Sequence, residues 1–224
     1  MIKKLAFVLV ALFSFVLQSY DTKSIVVING EVLNATLMAS KLNINDKAIA
    51  LAIKGYQKLK EQGKLLNQRY LTIADFSKPS SEERLYIIDM ESEEMVLQTL
   101  VAHGKNSGTL FAKNFSNINE SNKSSLGFYI TGNTYQGKHG ESLVLTGVEN
   151  GINDKAAQRA IVLHGANYVS NNTIAQMGYL GRSQGCPAVP NDLVQQIIHT
   201  IQGESCLFIY APDANYIKQS KLVG

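Results

Sequence analysis

Two side chains in this chain have the chemistry for nucleophilic acyl transfer. One is the thiol of Cys186, in GRSQGCPAVP (residues 181–190); the other is the imidazole of His164, which ends AIVLHG (residues 160–165). A thiol becomes a nucleophile when its pKa is lowered and a base takes its proton, and histidine is the commonest base. His164 follows an apolar run and precedes Gly165, so it stands at a strand end facing a turn. Cys186 follows 22 residues later between Gly185 and Pro187. A glycine before the nucleophile lets backbone approach substrate closely. The N–H groups of Gly185 and Cys186 together have the form of an oxyanion site.

Other uses of the thiol stay open at this level. Cys186 and Cys206 are the chain's two cysteines, and two cysteines in an exported protein often pair. Cys206 lies in SCLFIY, a strand-like run where a buried thiol behaves as a small hydrophobe. A disulfide would leave the glycine-flanked setting of Cys186 without a reason, so residue chemistry favours the nucleophile. The four histidines (His103, His139, His164 and His199) are scattered, without the tight ligand pairs of a zinc site. No metal or other cofactor is expected.

The elements that must hold these groups follow from patterning. Residues 1–19 carry Lys3 and Lys4 and then 13 apolar or small residues, Leu5–Leu17. That run is short for a bilayer span and suits a secretory signal, so export to the periplasm or cell envelope is expected, with peripheral membrane or wall association. Without Lys3 and Lys4 the net charge falls from +3 to about +1, and no clustered basic face suggests nucleic acid. Residues 20–65 read as a helical segment. INDKAIALAIKGYQKLKEQG has Asn45 or Asp46 as cap, apolar residues at helical spacing and Gly63 as stop. From Arg69 to Tyr210, short runs rich in β-formers alternate with polar loops, and one late helix is expected in NDLVQQIIHTIQG, capped by Asn191 or Asp192. The fold class is therefore α+β, a mostly antiparallel β domain (66–212) behind a helical preface, with residues 213–224 as a tail and the chain a monomer.

The order of the two groups, His164-Gly165 and then Ser183-Gln184-Gly185-Cys186, resembles the murein L,D-transpeptidase catalytic domain, whose pattern is HG, a spacer, and S-x-G-C followed by x-R. AHGKNSG, SSLGFYITG, GKHG and LGRSQGCPA extend the resemblance over roughly residues 71–210. Papain-like enzymes place Cys before His, and caspase-like ones place His about 50 residues before a Q-A-C signature; neither fits. The resemblance implies a cysteine acyltransferase acting on peptidoglycan stem peptides. Cys186 would attack the peptide bond after the third stem residue, and His164, oriented by a backbone carbonyl, would serve as base. A second stem's amine would complete a 3–3 cross-link. Water as acceptor would make the protein an L,D-carboxypeptidase instead. The resemblance places Gly185 and Ser183 in the catalytic motif and Gly165, His139 and Lys138 at the substrate. The sequence departs from the pattern at Ala188, where the arginine is expected. Arg182 is the nearest guanidinium in sequence and is expected to bind a substrate carboxylate in its place. The missing arginine also motivates a reading as an inactive wall-binding protein.

Overall fold

The computed structural model describes residues 25–28 and 31–224, with side chains from Met38 onward. The signal-like segment lies outside the described residues. β1 (Ile25–Ile28) and β2 (Glu31–Asn34) form a small antiparallel pair, followed by α1 (Ala35–Leu42) and α2 (Asp46–Glu61). The main sheet uses β3 (Tyr70–Asp75), β4 (Leu85–Asp89), β5 (Glu94–Thr99), β6 (Gly127–Gly137), β7 (Gly140–Gly147) and β8 (Val162–Gly165). After α3 (Asn171–Met177) come β9 (Ala188–Val189), α4 (Val194–Ile201), β10 (Cys206–Tyr210) and α5 (Ala214–Gln219). The strand order is β5-β4-β3-β10-β6-β7-β8-β9. Only the β3–β10 and β8–β9 pairings are parallel, so the α+β, mostly antiparallel class read from patterning holds.

Asn45 starts α2, its Oδ1 accepting from Lys47 N and Ala48 N at 3.0 Å each. Ala48, Ile49, Ala52, Ile53, Tyr56 and Leu59 form its buried stripe. Burying each large apolar side chain stabilises by about 1.5–3 kcal/mol, against about 1 kcal/mol for the cap, so packing holds the helix in place. Gly55 permits that packing: a Cβ there would come within 2.0 Å of the Phe128 ring, and α2 thereby lies close against β6. One apolar cluster runs through α2, the sheet, α4 and the C-terminal segment.

One expectation is corrected. The late helix is capped by neither Asn191 nor Asp192. It begins at Val194 with no side-chain cap bond, because Asn191 donates its amide to Asn167 instead and a turn closes from Leu193 N to Pro190 O. Residues 213–224, read as a tail, carry α5 and pack on the core. Asp213 caps α5 through Tyr216 N at 2.9 Å, and Tyr216, Leu222 and Val223 are buried. The buried Glu149 carboxylate receives Phe128 N, Tyr216 Oη and Ser220 Oγ, tying that segment to β6.

Candidate active site

Residues 181–190 form a turn clamped on two sides. On one side the parallel register pairs His164 with Ala188 and Gly165 with Val189. On the other, Ala102 and Ala188 exchange backbone hydrogen bonds, Ser183 N donates to His103 O at 3.0 Å, and Lys105 N donates to Ser183 O at 2.8 Å. AHGKNSG is thus the outer wall of the cysteine turn. Within it, Ser183 Oγ donates to Cys186 O at 2.6 Å and accepts from Gly185 N at 3.0 Å. Ser124 Oγ donates to Gly185 O at 3.0 Å. Gly185 has φ +126, and a Cβ would meet Lys123 O at 2.9 Å. Both the backbone conformation and the space require glycine there.

The paired N–H oxyanion site read from the sequence is corrected here. The Gly185 N–H is engaged by Ser183 Oγ, so of the two only the Cys186 N–H has no acceptor outside its own residue among the described residues. Ser183 and Gly185 set the turn's shape through each other.

His164 is held by its own backbone. Its Nδ1 lies 2.8 Å from Gly165 O. A carbonyl only accepts, so Nδ1 carries the proton and Nε2 is left with the lone pair. His139, at the β6–β7 hairpin tip, stacks on His164 with ring centroids 4.4 Å apart and planes 21° from parallel. Burial lowers the His164 pKa; the Gly165 carbonyl opposes this, and His139 and Lys138 add to it. Burial pushes the Cys186 thiol up, opposed by the backbone at Val162, by Arg159 and by Lys138. Both groups therefore rest neutral near pH 7, and the arrangement suits base-assisted deprotonation more than a preformed ion pair.

Cys186 and His164 line one open cleft of about 750 Å³. Lys138, His139, Arg182 and Ser183 line it too. Gly165 does not: it lies behind His164, where a Cβ would meet Asn191 Oδ1 at 2.5 Å and Val194 Cγ1 at 3.1 Å. Its carbonyl orients His164. Arg182 Nη1 donates to Lys105 O (3.3 Å) and Gly108 O (3.1 Å), and its guanidinium lies 5.8 Å from the Tyr179 ring centroid. It braces the 105–108 loop with one nitrogen; its other two have no partner among the described residues. Cys206 is fully buried in β10, and both cysteines are free thiols.

The cleft's cations are Lys105, Lys138, Arg159 and Arg182, against Glu120 alone among carboxylates. Sequence reasoning missed Arg159. It lies five residues before His164, in the turn leading into β8, where strand alternation gives no cue to its direction. Ala188, where the resemblance led one to look for an arginine, is fully buried between Ala102 and His164. Among the described residues no three His, Cys, Asp or Glu side chains come together as a metal site, and no helix is long and apolar enough to cross a membrane.

The family model described as L,D-transpeptidase catalytic domain matches residues 40–210. No curated protein matches the chain. Among solved structures, an L,D-transpeptidase from Mycobacterium smegmatis is similar at 12% identity and TM-score 0.41, with 64% of this chain and 59% of that one covered. The helical cell shape determining protein Pgp2 from Campylobacter jejuni is similar at 14% identity and TM-score 0.43, covering 71% and 56%. An L,D-transpeptidase from Stackebrandtia nassauensis is similar at 10% identity and TM-score 0.39, covering 81% and 78%. The chain thus spans about three fifths of the length of the first of these.

Proposed function

The chain belongs to the L,D-transpeptidase catalytic domain family, and from that premise we propose that it is an exported cysteine acyltransferase of peptidoglycan stem peptides. The observation that carries the reading is the pair itself: Cys186 and His164 face one cleft, with His164 Nδ1 tied to Gly165 O so that Nε2 is the basic nitrogen. The cationic lining supports a substrate bearing carboxylates.

The proposed reaction runs in two acyl transfers. His164 Nε2 takes the Cys186 proton as the sulfur adds to the carbonyl carbon after the third residue of a tetrapeptide stem. The Cys186 N–H receives the developing oxyanion. The C–N bond breaks, His164 returns its proton to the departing D-alanine amine, and a thioester remains. A second stem's side-chain amine then attacks the thioester, loses a proton to His164 and releases the Cys186 thiolate, leaving a 3–3 cross-link. Residues 66–212 carry this chemistry in the proposal, with α2 packed against the sheet and residues 1–19 directing export.

Incubating the purified protein with disaccharide-tetrapeptides and following products by mass spectrometry tests the proposal. Released D-alanine together with cross-linked dimers is the expected result, and Cys186→Ala should lose both while staying folded. D-alanine without dimers would leave the hydrolytic reading, an L,D-carboxypeptidase. Undiminished turnover by Cys186→Ala would sink both.

A further inference from the structure

Arg159 is a half-buried cation with no carboxylate against it among the described residues. Its side chain reaches across to the 116–125 loop. Nη1 donates to Ser116 O at 2.8 Å and Ser125 Oγ at 2.5 Å. Nη2 donates to Lys123 O at 2.6 Å and Ser121 Oγ at 3.3 Å. Each terminal nitrogen carries two hydrogens, so four neutral oxygens take all four. They solvate the guanidinium and fix its plane, and they leave its charge uncompensated. A fork held this way cannot swing out to grip a substrate carboxylate without losing those bonds.

The same guanidinium lies against the cysteine turn. Nη2 is 3.2 Å from the position a Cβ on Gly185 would take. Cys186 Sγ is directed at Ala160 O, 3.7 Å away, on the residue that follows Arg159. The guanidinium thus touches the residue before Cys186, in partly buried surroundings where a Coulomb attraction to a thiolate is screened much less than in bulk water.

We propose that Arg159 is the fixed counter-charge of the Cys186 thiolate, a positioning residue that acts through the sulfur rather than through substrate. The inference rests on Cys186 being the nucleophile. It gives the uncompensated guanidinium a partner that exists only when the thiol has lost its proton to His164. Burial lowers the Arg159 pKa, opposed by Tyr129 and then Cys186, and burial raises the Cys186 pKa, opposed in part by Arg159; each of the two charges thus favours the other against burial, as in an ion pair. The other charged groups lining the cleft are Lys105, Lys138, Arg182 and Glu120; the remaining titratable ones are His139, His164, Tyr135 and Tyr168. Of these Lys138 also favours the thiolate, but it stands at a hairpin tip on a flexible stem. Tyr129, fully buried, donates its hydroxyl to Ser125 O at 3.1 Å, and Ser125 is also a partner of Arg159.

The test is the pH dependence of Cys186 alkylation by iodoacetamide in the full chain without stem peptide, followed on the Cys186 peptide. Arg159→Gln should raise the apparent thiol pKa by about one unit, slowing alkylation about tenfold at neutral pH. Ser121→Asp keeps the clamp and neutralises the guanidinium in place, and should raise it as well. Arg159→Lys, which keeps the charge, should move it by less than about half that. A Ser121→Asp profile superimposed on the wild type, or a shift in Arg159→Lys as large as in Arg159→Gln, would overturn the inference. Should Arg159→Gln fail to fold, Ser121→Asp decides. Because no stem peptide is present, an unmoved profile removes only the counter-charge. Loss of the nucleophile assignment would be seen separately, as D-alanine release by Cys186→Ala.

Discussion

His103 and His164 occupy matching places in the chain: each ends an apolar run, each is followed by glycine, and each is buried. Their ring nitrogens differ. His103 Nδ1 accepts from Arg84 Nη2 at 2.8 Å and its Nε2 donates to Gly108 O at 3.2 Å, so both nitrogens are engaged by the fold. His164 has one nitrogen tied to Gly165 O, and the other is left for chemistry. The fully buried Arg84 also donates to Val101 O and Lys78 O, which makes His103 part of a brace under the 104–108 loop. Burial, then Arg84, pushes the His103 pKa down to about 4, and a histidine held neutral in this way serves as a fixed hydrogen-bonding piece. A spare nitrogen facing a cleft, more than the dipeptide around it, separates a candidate base from a structural histidine.

Exchanging each histidine for glutamine is the strongest way to break that comparison. His164→Gln is expected to cut acylation by stem peptide about 10²–10⁴-fold with little change in melting temperature. His103→Gln should lower stability by about 1–3 kcal/mol through a disturbed buried network and leave turnover per folded molecule within a few-fold of wild type. Acid sharpens the contrast. The unfolded His103 gains its proton near pH 6.5 while the folded one does so only near 4. Wild-type stability is therefore lost as pH falls through that window, and His103→Gln should flatten the loss. Equal effects of the two exchanges on rate, at matched folded fraction, would remove the distinction.

A smaller effect is expected at Arg182, which shares the Gly108 carbonyl with His103. If its two unengaged nitrogens hold a substrate carboxylate, Arg182→Lys should lower kcat/KM for the stem peptide about tenfold, or about 1.4 kcal/mol. Labelling of Cys186 by a small neutral reagent should stay unchanged. Equal losses in both assays would confine Arg182 to bracing the 105–108 loop.

Much of the fold was legible because local signals and final environment agree. The β-former runs RYLTIADF, ERLYIIDM and CLFIY became the buried strands at 70–75, 85–89 and 206–210, LGFYITG became the largely buried start of β6, and Asn45 and the Ile49–Ile53–Tyr56 stripe set α2. Strand order was not legible, since nothing local to CLFIY places it parallel to β3. Asn191 looked like a cap because cap chemistry depends only on residue type, while its actual partner, Asn167, lies 24 residues away. The candidate site divides similarly. Cys186 and His164 stood out through their glycine-flanked turns. Arg159 did not, because its relation to Cys186 arises from the 116–125 loop folding over it, and the engagement of Gly185 N–H by Ser183 depends on backbone geometry that no residue pattern encodes.

The central claim, that Cys186 carries the acyl group, is tested most directly by mapping the covalent intermediate. Wild-type protein and His164→Gln would be mixed with a disaccharide-tetrapeptide, acid-quenched within the first turnover, and digested for mass spectrometry. The expected result is a mass gain equal to the acyl group left after loss of D-alanine, confined to the Cys186 peptide, strongly reduced in His164→Gln and absent from the Cys206 peptide. Turnover with no adduct on Cys186, or an adduct on another residue that forms at the wild-type rate in His164→Gln, would contradict it.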